Sequence, residues 1–176
     1  MRYFIADTET TGLKKAKAVE IAFMEIDPMT LDILSTTSSL IDPEIPIEPG
    51  AQAIHGITAE MVAEEPTIEE FVEVIMGGRI QEPCVLIAHN VRFDKPFFEP
   101  VMNVQETFCS LSLCRHMYPS ETENHRLGTM KEFLKLEGGP AHRALGDIMT
   151  VHQMLQVMLP LTGKTLADVM KMRGTS

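Results

Sequence analysis

The stretch F-I-A-D-T-E-T-T-G-L, residues 4–13, decides the predicted fold of this chain. It begins as an apolar run, typical of a strand in a core, and then places Asp7 and Glu9 two positions apart before T-T-G. Side chains two apart in a strand lie on one side, about 6.5–7 Å apart along the chain. Two such carboxylates repel, and a shared divalent cation would remove the repulsion. A second interpretation stays open, in which both acids only cap the following turn.

The size and composition of the chain fit one domain that spans residues 1–176. No run approaches the length of a transmembrane helix, and the N-terminus lacks a signal-peptide pattern. We therefore expect a soluble, cytoplasmic protein with no membrane partner. The three cysteines, Cys84, Cys109 and Cys114, lack the spacing of a metal site, so we expect ordinary thiols and no disulfide framework.

The formal net charge of −10 argues against a surface built for non-specific nucleic-acid binding, which is usually basic. It does not exclude an enzyme that acts on nucleic acid, because acids that hold metal ions contribute to this charge. Contacts with phosphates must then be local. The candidates are Lys14, Lys15, Lys17, Arg92, Lys95 and Arg143.

The first half of the chain predicts an antiparallel meander. Strands are expected over residues 2–7, 18–27 and 33–41, because near-alternating apolar residues are separated by short connections. The segment I-D-P-E-I-P-I-E-P-G, residues 41–50, predicts an extended loop.

The second half predicts alternating helices and strands. Thr67 and Glu70 form a capping box for a helix that runs to about Met76, where Gly77 and Gly78 end it. The apolar run at 84–88 is typical of a buried parallel strand. Further helices are expected over 94–102, 111–117, 127–136 and 141–158 and from Thr165, with a strand at 106–110. Together with the meander, this pattern predicts an α/β fold with a mixed sheet.

Polar residues also follow the second apolar strand, in L-I-A-H-N-V-R-F-D, residues 86–94. Catalytic and ligand-binding groups gather at the carboxyl ends of strands in open α/β sheets, which makes His89, Asn90 and Asp94 candidates. In the alternative interpretation, Asp94 only caps the next helix, and His89 and Asn90 are loop hydrogen bonders.

A third candidate group lies in A-H-R-A-L-G-D-I, residues 141–148. His142 and Asp147 are five residues apart, so on a regular helix they would differ in direction by about 140°. They cannot form an i, i+4 metal pair. Asp147 could instead face a site from the helix while His142 overhangs it from the helix start. The alternative is that His142 is simply solvated.

Taken together and in this order, the three motifs form a specific pattern: D-T-E-T-T-G at 7–12, H-N-x-x-F-D at 89–94 and H-x-x-x-x-D at 142–147. The chain resembles the DEDDh family of 3′–5′ exonucleases over nearly all of residues 2–158, including A-I-H-G-I-T at 53–58. The position four before the last aspartate is Arg143 and not tyrosine, and His142 precedes it, which supports the histidine subclass.

This resemblance implies a ribonuclease H-like fold, a five-stranded mixed sheet flanked by helices. It also implies that Asp7, Glu9, Asp94 and Asp147 are the four acids of the site and that His142 is the general base. Asp7, Glu9 and Asp147 would hold the first of two divalent ions, Mg²⁺ or Mn²⁺, and Asp7 would also contact the second.

The substrate that the resemblance implies is nucleic acid, DNA in preference to RNA, cleaved at single strands or frayed 3′ ends. The residues expected to hold the last nucleotide are Thr10, Thr11, Leu13, His55, His89, Asn90 and Phe93. RNA or short oligonucleotides are the alternative substrates, and a non-catalytic nucleic-acid-binding protein is a further alternative. The sequence leaves open whether a polymerase or another replication protein is a partner.

Overall fold

A mixed five-stranded sheet forms the centre of the protein. The computed structural model describes residues 1–173, so the last three residues of the predicted domain, 174–176, lie outside the described residues. The sheet order is β3-β2-β1-β4-β5. The strands are β1 (Arg2–Thr10), β2 (Ala18–Ile26), β3 (Ile33–Leu40), β4 (Ile80–Ala88) and β5 (Met102–Cys109). The α/β fold and the mixed sheet that the sequence predicts are confirmed.

The length of each connection explains the direction of each strand. Short turns join β1, β2 and β3, which pair antiparallel. Longer segments with helices precede β4 and β5, which add parallel to the other side of β1. The C-terminal ends of β1, β4 and β5 therefore lie at the same edge of the sheet, where functional side chains are expected.

Helices cover both faces of this sheet. The helical segments are α1 (Pro49–His55), α2 (Ala59–Val62), α3 (Ile68–Glu70), which continues as a π-helical turn over Phe71–Ile75, α4 (Val91–Phe98), α5 (Ser110–Met117), α6 (Leu127–Phe133), α7 (Ala144–Thr162) and α8 (Leu166–Arg173). Among residues 1–173, no helix combines the length and the apolar character needed to cross a bilayer.

Successive side chains of β1 point to opposite faces of the sheet, and each face has its own apolar core. Ile5 packs in the core that contains α7, whereas Phe4 and Ala6 pack in the core that contains α4. The same alternation continues to the end of the strand, so Asp7 and Glu9 lie on the α7 side and Thr8 lies on the α4 side. The strand thereby directs its acids toward the helix that carries Asp147.

Several element boundaries differ from the predictions. The segment expected to be a loop at 41–50 already enters α1 at Pro49, a helix start that suits proline because its missing N–H would lack a partner there. The capping box of Thr67 and Glu70 is present, but the helix changes to π geometry one residue later. α4 begins at Val91, earlier than expected, and α7 begins at Ala144, later than expected.

A buried hydrogen bond attaches α7 to the sheet. His152 on α7 is 5% exposed, and its Nε2 lies 2.7 Å from the backbone oxygen of Leu31, in the turn between β2 and β3. Leu31 is itself buried, so this carbonyl has poor access to water. The bond fixes α7 along the face of the sheet that presents Asp7 and Glu9.

We expect His152→Leu to lower the free energy of unfolding by about 1–3 kcal/mol, because the Leu31 carbonyl would stay buried without its donor. The melting temperature should fall by several degrees. Gln156→Leu, at an exposed position of the same helix, is the matched control and should change little. Equal melting temperatures for the two variants would contradict this role of His152.

Candidate active site

Three carboxylates from two elements converge at the end of β1. Asp7 and Glu9 come from the strand, and Asp147 comes from the first turn of α7. One oxygen from each can be chosen so that all three lie within 4.8 Å of one another. No ion pair in the described part of the chain involves any of the three. This set of oxygens suits a hard divalent cation such as Mg²⁺ or Mn²⁺.

Asp94 approaches the same place from α4. It is 2% exposed, and its Oδ1 accepts hydrogen bonds from the backbone N–H and the hydroxyl of Thr8, at 3.2 and 3.1 Å. The interpretation that Asp94 caps the helix is wrong, because α4 begins at Val91 and Asn90 is its N-cap residue. Asp94 instead lies inside the first turn and is joined to the acid-bearing strand.

Burial, followed by the charges of the neighbouring acids, raises the pKa values of these carboxyls. Burial and then the charges of Asp94, Asp147 and Glu9 raise the pKa of Asp7 well above its usual range. Burial, followed by the charges of the neighbouring acids, raises the pKa of Glu9 to about 7. Burial raises the pKa of Asp94 to about 7 and that of Asp147 to about 6. Without a cation, the site therefore favours protonated carboxyls.

His142 lies in the turn before α7 and overhangs Asp147. Its backbone adopts φ 58°, a left-handed conformation, and its N–H donates a hydrogen bond to the Asp147 carboxylate. The preceding loop lies directly on α7: a Cβ at Gly146 would meet the carbonyl oxygen of Pro140. The histidine and the aspartate are thus held by one compact backbone arrangement.

An ion pair between a buried glutamate and a partly exposed arginine fixes the start of α7. Glu20 on β2 lies opposite Glu9 in the register and is 4% exposed. Its carboxylate accepts hydrogen bonds from Arg143 Nη2 at 2.7 Å and from the backbone N–H of Ala144 at 2.8 Å. Arg143, a candidate for phosphate contact, is therefore bound to Glu20. Sequence reasoning missed Glu20, because Arg143 and Ala144, which donate to it, are more than a hundred residues away along the chain.

A cavity of about 410 Å³ opens beside Glu9. It brings together four of the residues predicted to hold a nucleotide. These are Thr10, Leu13, His55 and Phe93. Glu48, Gly50, Ala51 and Ile54 also line it, and sequence reasoning missed them because α1 was not expected. Pro49, at a position typical of a helix start, is the signal that could have found them.

His55 is held in one orientation at the wall of this cavity. Its Nδ1 accepts a hydrogen bond from the backbone N–H of Ile57 at 3.0 Å, so Nε2 carries the proton and donates to the Thr10 carbonyl at 3.2 Å. Thr11 does not line the cavity, and its hydroxyl accepts from the Lys17 N–H. Of this pair of threonines, only Thr10 borders the space.

A second cavity, of about 210 Å³, borders Asp7 and Asp147 on the other side. His89 and His142 both line it, together with Arg126 and Lys131, which sequence reasoning missed. His89 lies 2.7 Å from the His125 carbonyl through Nε2, a contact that keeps its ring in place. His89 and Asn90 do not share the cavity of Phe93: Asn90 borders a third cavity, on the far side of α4.

The predicted cationic contacts separate into two groups. Lys17 pairs with Glu44, Lys95 pairs with Glu99, and Arg143 pairs with Glu20. Lys14, Lys15 and Arg92 are exposed, and the described part of the chain gives none of them an ion pair. Of the six predicted cations, these three are the ones that a polyanion could reach without breaking an ion pair.

Four clustered acids and an overhanging histidine, on a ribonuclease H-like sheet, define a class of nucleases whose active sites are built from carboxylates. The exonuclease family profile matches residues 4–155, and the chain belongs to this family as a DEDDh-type 3′–5′ exonuclease domain. The sequence prediction of an exonuclease is confirmed.

Named relatives agree with this assignment. The chain is 31% identical to exodeoxyribonuclease 10 of Escherichia coli over 173 residues, which cover 97% of this chain and 74% of that protein. It is 30% identical to the PolC-type DNA polymerase III of Caldanaerobacter subterraneus over 89% of this chain, but spans only 11% of that polymerase. A solved structure of exonuclease X in complex with 5′-overhanging duplex DNA has a TM-score of 0.74, with 30% identity, and covers 96% of this chain and 98% of that chain.

The raised pKa values predict how pH affects the metal-free protein. An acid whose pKa is higher in the folded state binds its proton more tightly there. Its ionisation therefore lowers the free energy of unfolding, an effect that is absent below the unfolded pKa and grows as the pH rises. Unfolded carboxyls titrate near about pH 4, whereas Glu9 titrates at about 7 in the folded protein. We expect Glu9→Gln to stabilise the protein in chelator at about pH 8 and to have little effect at about pH 4.

Melting temperatures of both proteins across this range, with and without Mg²⁺ or Mn²⁺, would measure the effect. A divalent ion should stabilise the wild type at high pH and should reduce the advantage of the variant. A stability difference that stays constant with pH would contradict the raised pKa of Glu9.

Proposed function

We propose that this domain removes nucleotides from the 3′ end of DNA, acting on single strands or frayed ends and releasing nucleoside 5′-monophosphates. The observation that carries the proposal is the convergence of Asp7, Glu9 and Asp147 within 4.8 Å, beside the buried Asp94. The choice of DNA over RNA is supported by the similarity to an exodeoxyribonuclease and to an exonuclease seen with duplex DNA. The domain is proposed to span residues 1–176.

Two divalent ions, Mg²⁺ or Mn²⁺, fit the donor set of this site. Asp7, Glu9 and Asp147 would hold the first ion, and Asp7 would also contact the second. The crowded carboxyls, with pKa values raised by burial and mutual repulsion, are the groups that such ions would relieve. When bound, two ions supply an activated water and stabilise the charge on the phosphoryl group and the leaving oxygen.

The protein groups around the ions have separate tasks. His142 overhangs Asp147 at the start of α7, and its imidazole would take the proton of the attacking water, which an imidazole can do at neutral pH. Asp94 is fixed by two hydrogen bonds from Thr8, so it would keep its carboxylate in place as the substrate enters. The Glu20–Arg143 pair would keep the base close to the acids.

The apolar cavity beside Glu9 would hold the terminal nucleotide. Phe93 and the exposed Leu13 offer surfaces on which a base can stack. His55, whose ring donates to the Thr10 carbonyl, would fix the wall against which the sugar lies. Thr11 would contribute through its backbone, while His89 would act from the second cavity, next to Asp7 and Asp147.

We expect Glu9→Gln to lower the rate of nucleotide release by more than about a hundredfold, because even groups that only support metal ligands are worth about 10–100-fold. The assay is a time course on 5′-labelled single-stranded DNA, with a matched RNA beside it, in Mg²⁺, Mn²⁺ and chelator. Glu64→Gln, at an exposed position, is the matched control.

A descending ladder of shortened DNA that disappears in chelator would support the proposal. Faster degradation of the RNA would indicate an exoribonuclease that uses the same mechanism. Full activity of Glu9→Gln would contradict the proposed site, and failure of the wild type to shorten either strand or to bind metal would favour the non-catalytic alternative.

Glu20 is proposed to position His142 and Asp147. Glu20→Gln should lower kcat by about 10–100-fold with little change in KM, because small displacements of a catalytic group are costly. Glu25→Gln is the matched control, since Glu25 lies on the same strand and also binds an arginine, Arg2. Both variants should lose stability, but only Glu20→Gln should lose kcat. Equal kcat values for the two variants would contradict the positioning role.

A further inference from the structure

The third cavity lies on the side of α4 that faces away from the acids. It has a volume of about 440 Å³ and lies between the starts of α4 and α5, at the C-terminal ends of β4 and β5. Arg92 borders it, and Arg92 precedes Asp94 by two residues on the same helix. Two residues of helix correspond to a rotation of about 200°, so one helical turn presents Asp94 to the acids and Arg92 to this cavity.

Two arginines dominate the charge of the cavity. Arg92 comes from α4 and Arg115 comes from α5, and both are exposed. Within residues 1–173, neither of them forms an ion pair. None of the residues that line the cavity is acidic. In a chain with a formal net charge of −10, a concave site with two unpaired guanidinium groups stands out.

Backbone N–H groups add to this positive field. Both helices are eight residues long and begin at the cavity, so both contribute the positive ends of their dipoles. The thiol of Cys109 accepts hydrogen bonds from two N–H groups at the start of α4. Burial raises the pKa of Cys109, but hydrogen bonds from Ser112 and from the backbone N–H groups of Val91 and Asn90 outweigh burial, and the net pKa is lowered.

The chemistry that fits this cavity is a phosphate. Arginine binds phosphate oxygens in a two-pronged geometry, and helix starts attract the same anion. Ser112 and Thr107 supply hydroxyl groups on the rim. A helix is about 10–12 Å across with its side chains, so the cavity is roughly one helix width from the acids. The rise of a duplex is about 3.4 Å per nucleotide, and neighbouring phosphates of one strand lie farther apart than this rise, so the width corresponds to at most about three nucleotides.

We propose that this cavity, between Arg92 and Arg115, binds a backbone phosphodiester of the nucleic-acid substrate a few nucleotides from the bond that is cut. The inference rests on the proposed function, because it adds a second substrate-binding site, away from the bond that is cut, to the same active site. The phosphodiester belongs either to the strand being shortened or to a paired complementary strand, and the chemistry of recognition is the same for both.

The test compares Arg92→Gln/Arg115→Gln with the wild type on a long and a minimal substrate. The long substrates are a single-stranded oligonucleotide and a duplex with a 5′ overhang, and the minimal one is the p-nitrophenyl ester of thymidine 5′-monophosphate. The double variant should raise KM for a long substrate about tenfold or more, with kcat and hydrolysis of the minimal ester unchanged. Loss of the contact with this one phosphate should also reduce the dependence of log KM on log salt by about 0.7–0.9.

Lys135→Gln is the matched control, because Lys135 is exposed, lies on the loop after α6 and does not line this cavity. A higher KM for the single-stranded substrate assigns the phosphate to the strand being shortened. An effect confined to the duplex assigns it to the complementary strand. A KM for both long substrates that changes no more than in the control would overturn the proposal.

Binding of fluorescently labelled DNA to the Glu9→Gln protein, measured by anisotropy with and without the two arginine substitutions, separates the two proposals. If the wild type cuts neither substrate but the arginine substitutions still weaken DNA binding, the proposed reaction fails and the phosphate site stands. If the wild type is active and DNA binding is unchanged by the arginine substitutions, the proposed function stands and the phosphate site fails.

Discussion

Repulsion among carboxylates at the end of β1 is the constraint on which the rest of this structure depends. Asp7, Glu9 and Asp147 are held within 4.8 Å, and the buried Asp94 adds a further charge. Such an arrangement weakens the folded state whenever the acids are ionised and no cation is bound. It persists because the strand, α4 and α7 are each fixed by contacts elsewhere, so the acids cannot move apart.

Those contacts are distributed over the whole fold. The sheet places β1 at its centre, with β2 on one side and β4 on the other. Thr8 joins β1 to α4 through Asp94, Glu20 joins β2 to the start of α7, and His152 attaches α7 to the turn after β2. Each of these bonds joins two elements that are far apart along the chain, and at least one of the two carries an acid of the site. The site is therefore stabilised by tertiary contacts, while its own acids oppose folding.

Much of the fold could be predicted from periodicity, because β1 and β2 show clear strand patterns and the connections between them are short. The acids could also be predicted, since Asp7 and Glu9 share one side of a strand by simple alternation. The boundaries of α4 and α7 were less accessible. Asn90 adopts φ 85° and begins α4 without a side-chain cap, and Arg143 begins α7 by binding Glu20, so neither start carries a local sequence signal.

Contacts between residues that are distant along the chain could not be predicted from the sequence either. Arg126 and Lys131 reach the acids only through the packing of the helices on the sheet, and Glu20 reaches Arg143 and Ala144 through the packing of α7. Asn90 and Phe93 are three residues apart, yet they border different cavities, because Asn90 precedes the helix with φ 85° whereas Phe93 lies in its first turn. Which neighbour along the chain faces which space depends on where the helix begins.

The apolar cavity beside Glu9 also has a thermal consequence. Leu13 is 85% exposed and Ile54 is 61% exposed, so two large aliphatic side chains on either side of this space are in contact with water. A nucleotide that covers them removes apolar surface from water, and such burial carries a negative change in heat capacity. The enthalpy of the proposed nucleotide binding would therefore become more favourable on warming, while the contribution of phosphate contacts would be governed mainly by salt. Calorimetry would thus distinguish the proposed binding of the terminal nucleotide from the proposed binding of a backbone phosphodiester.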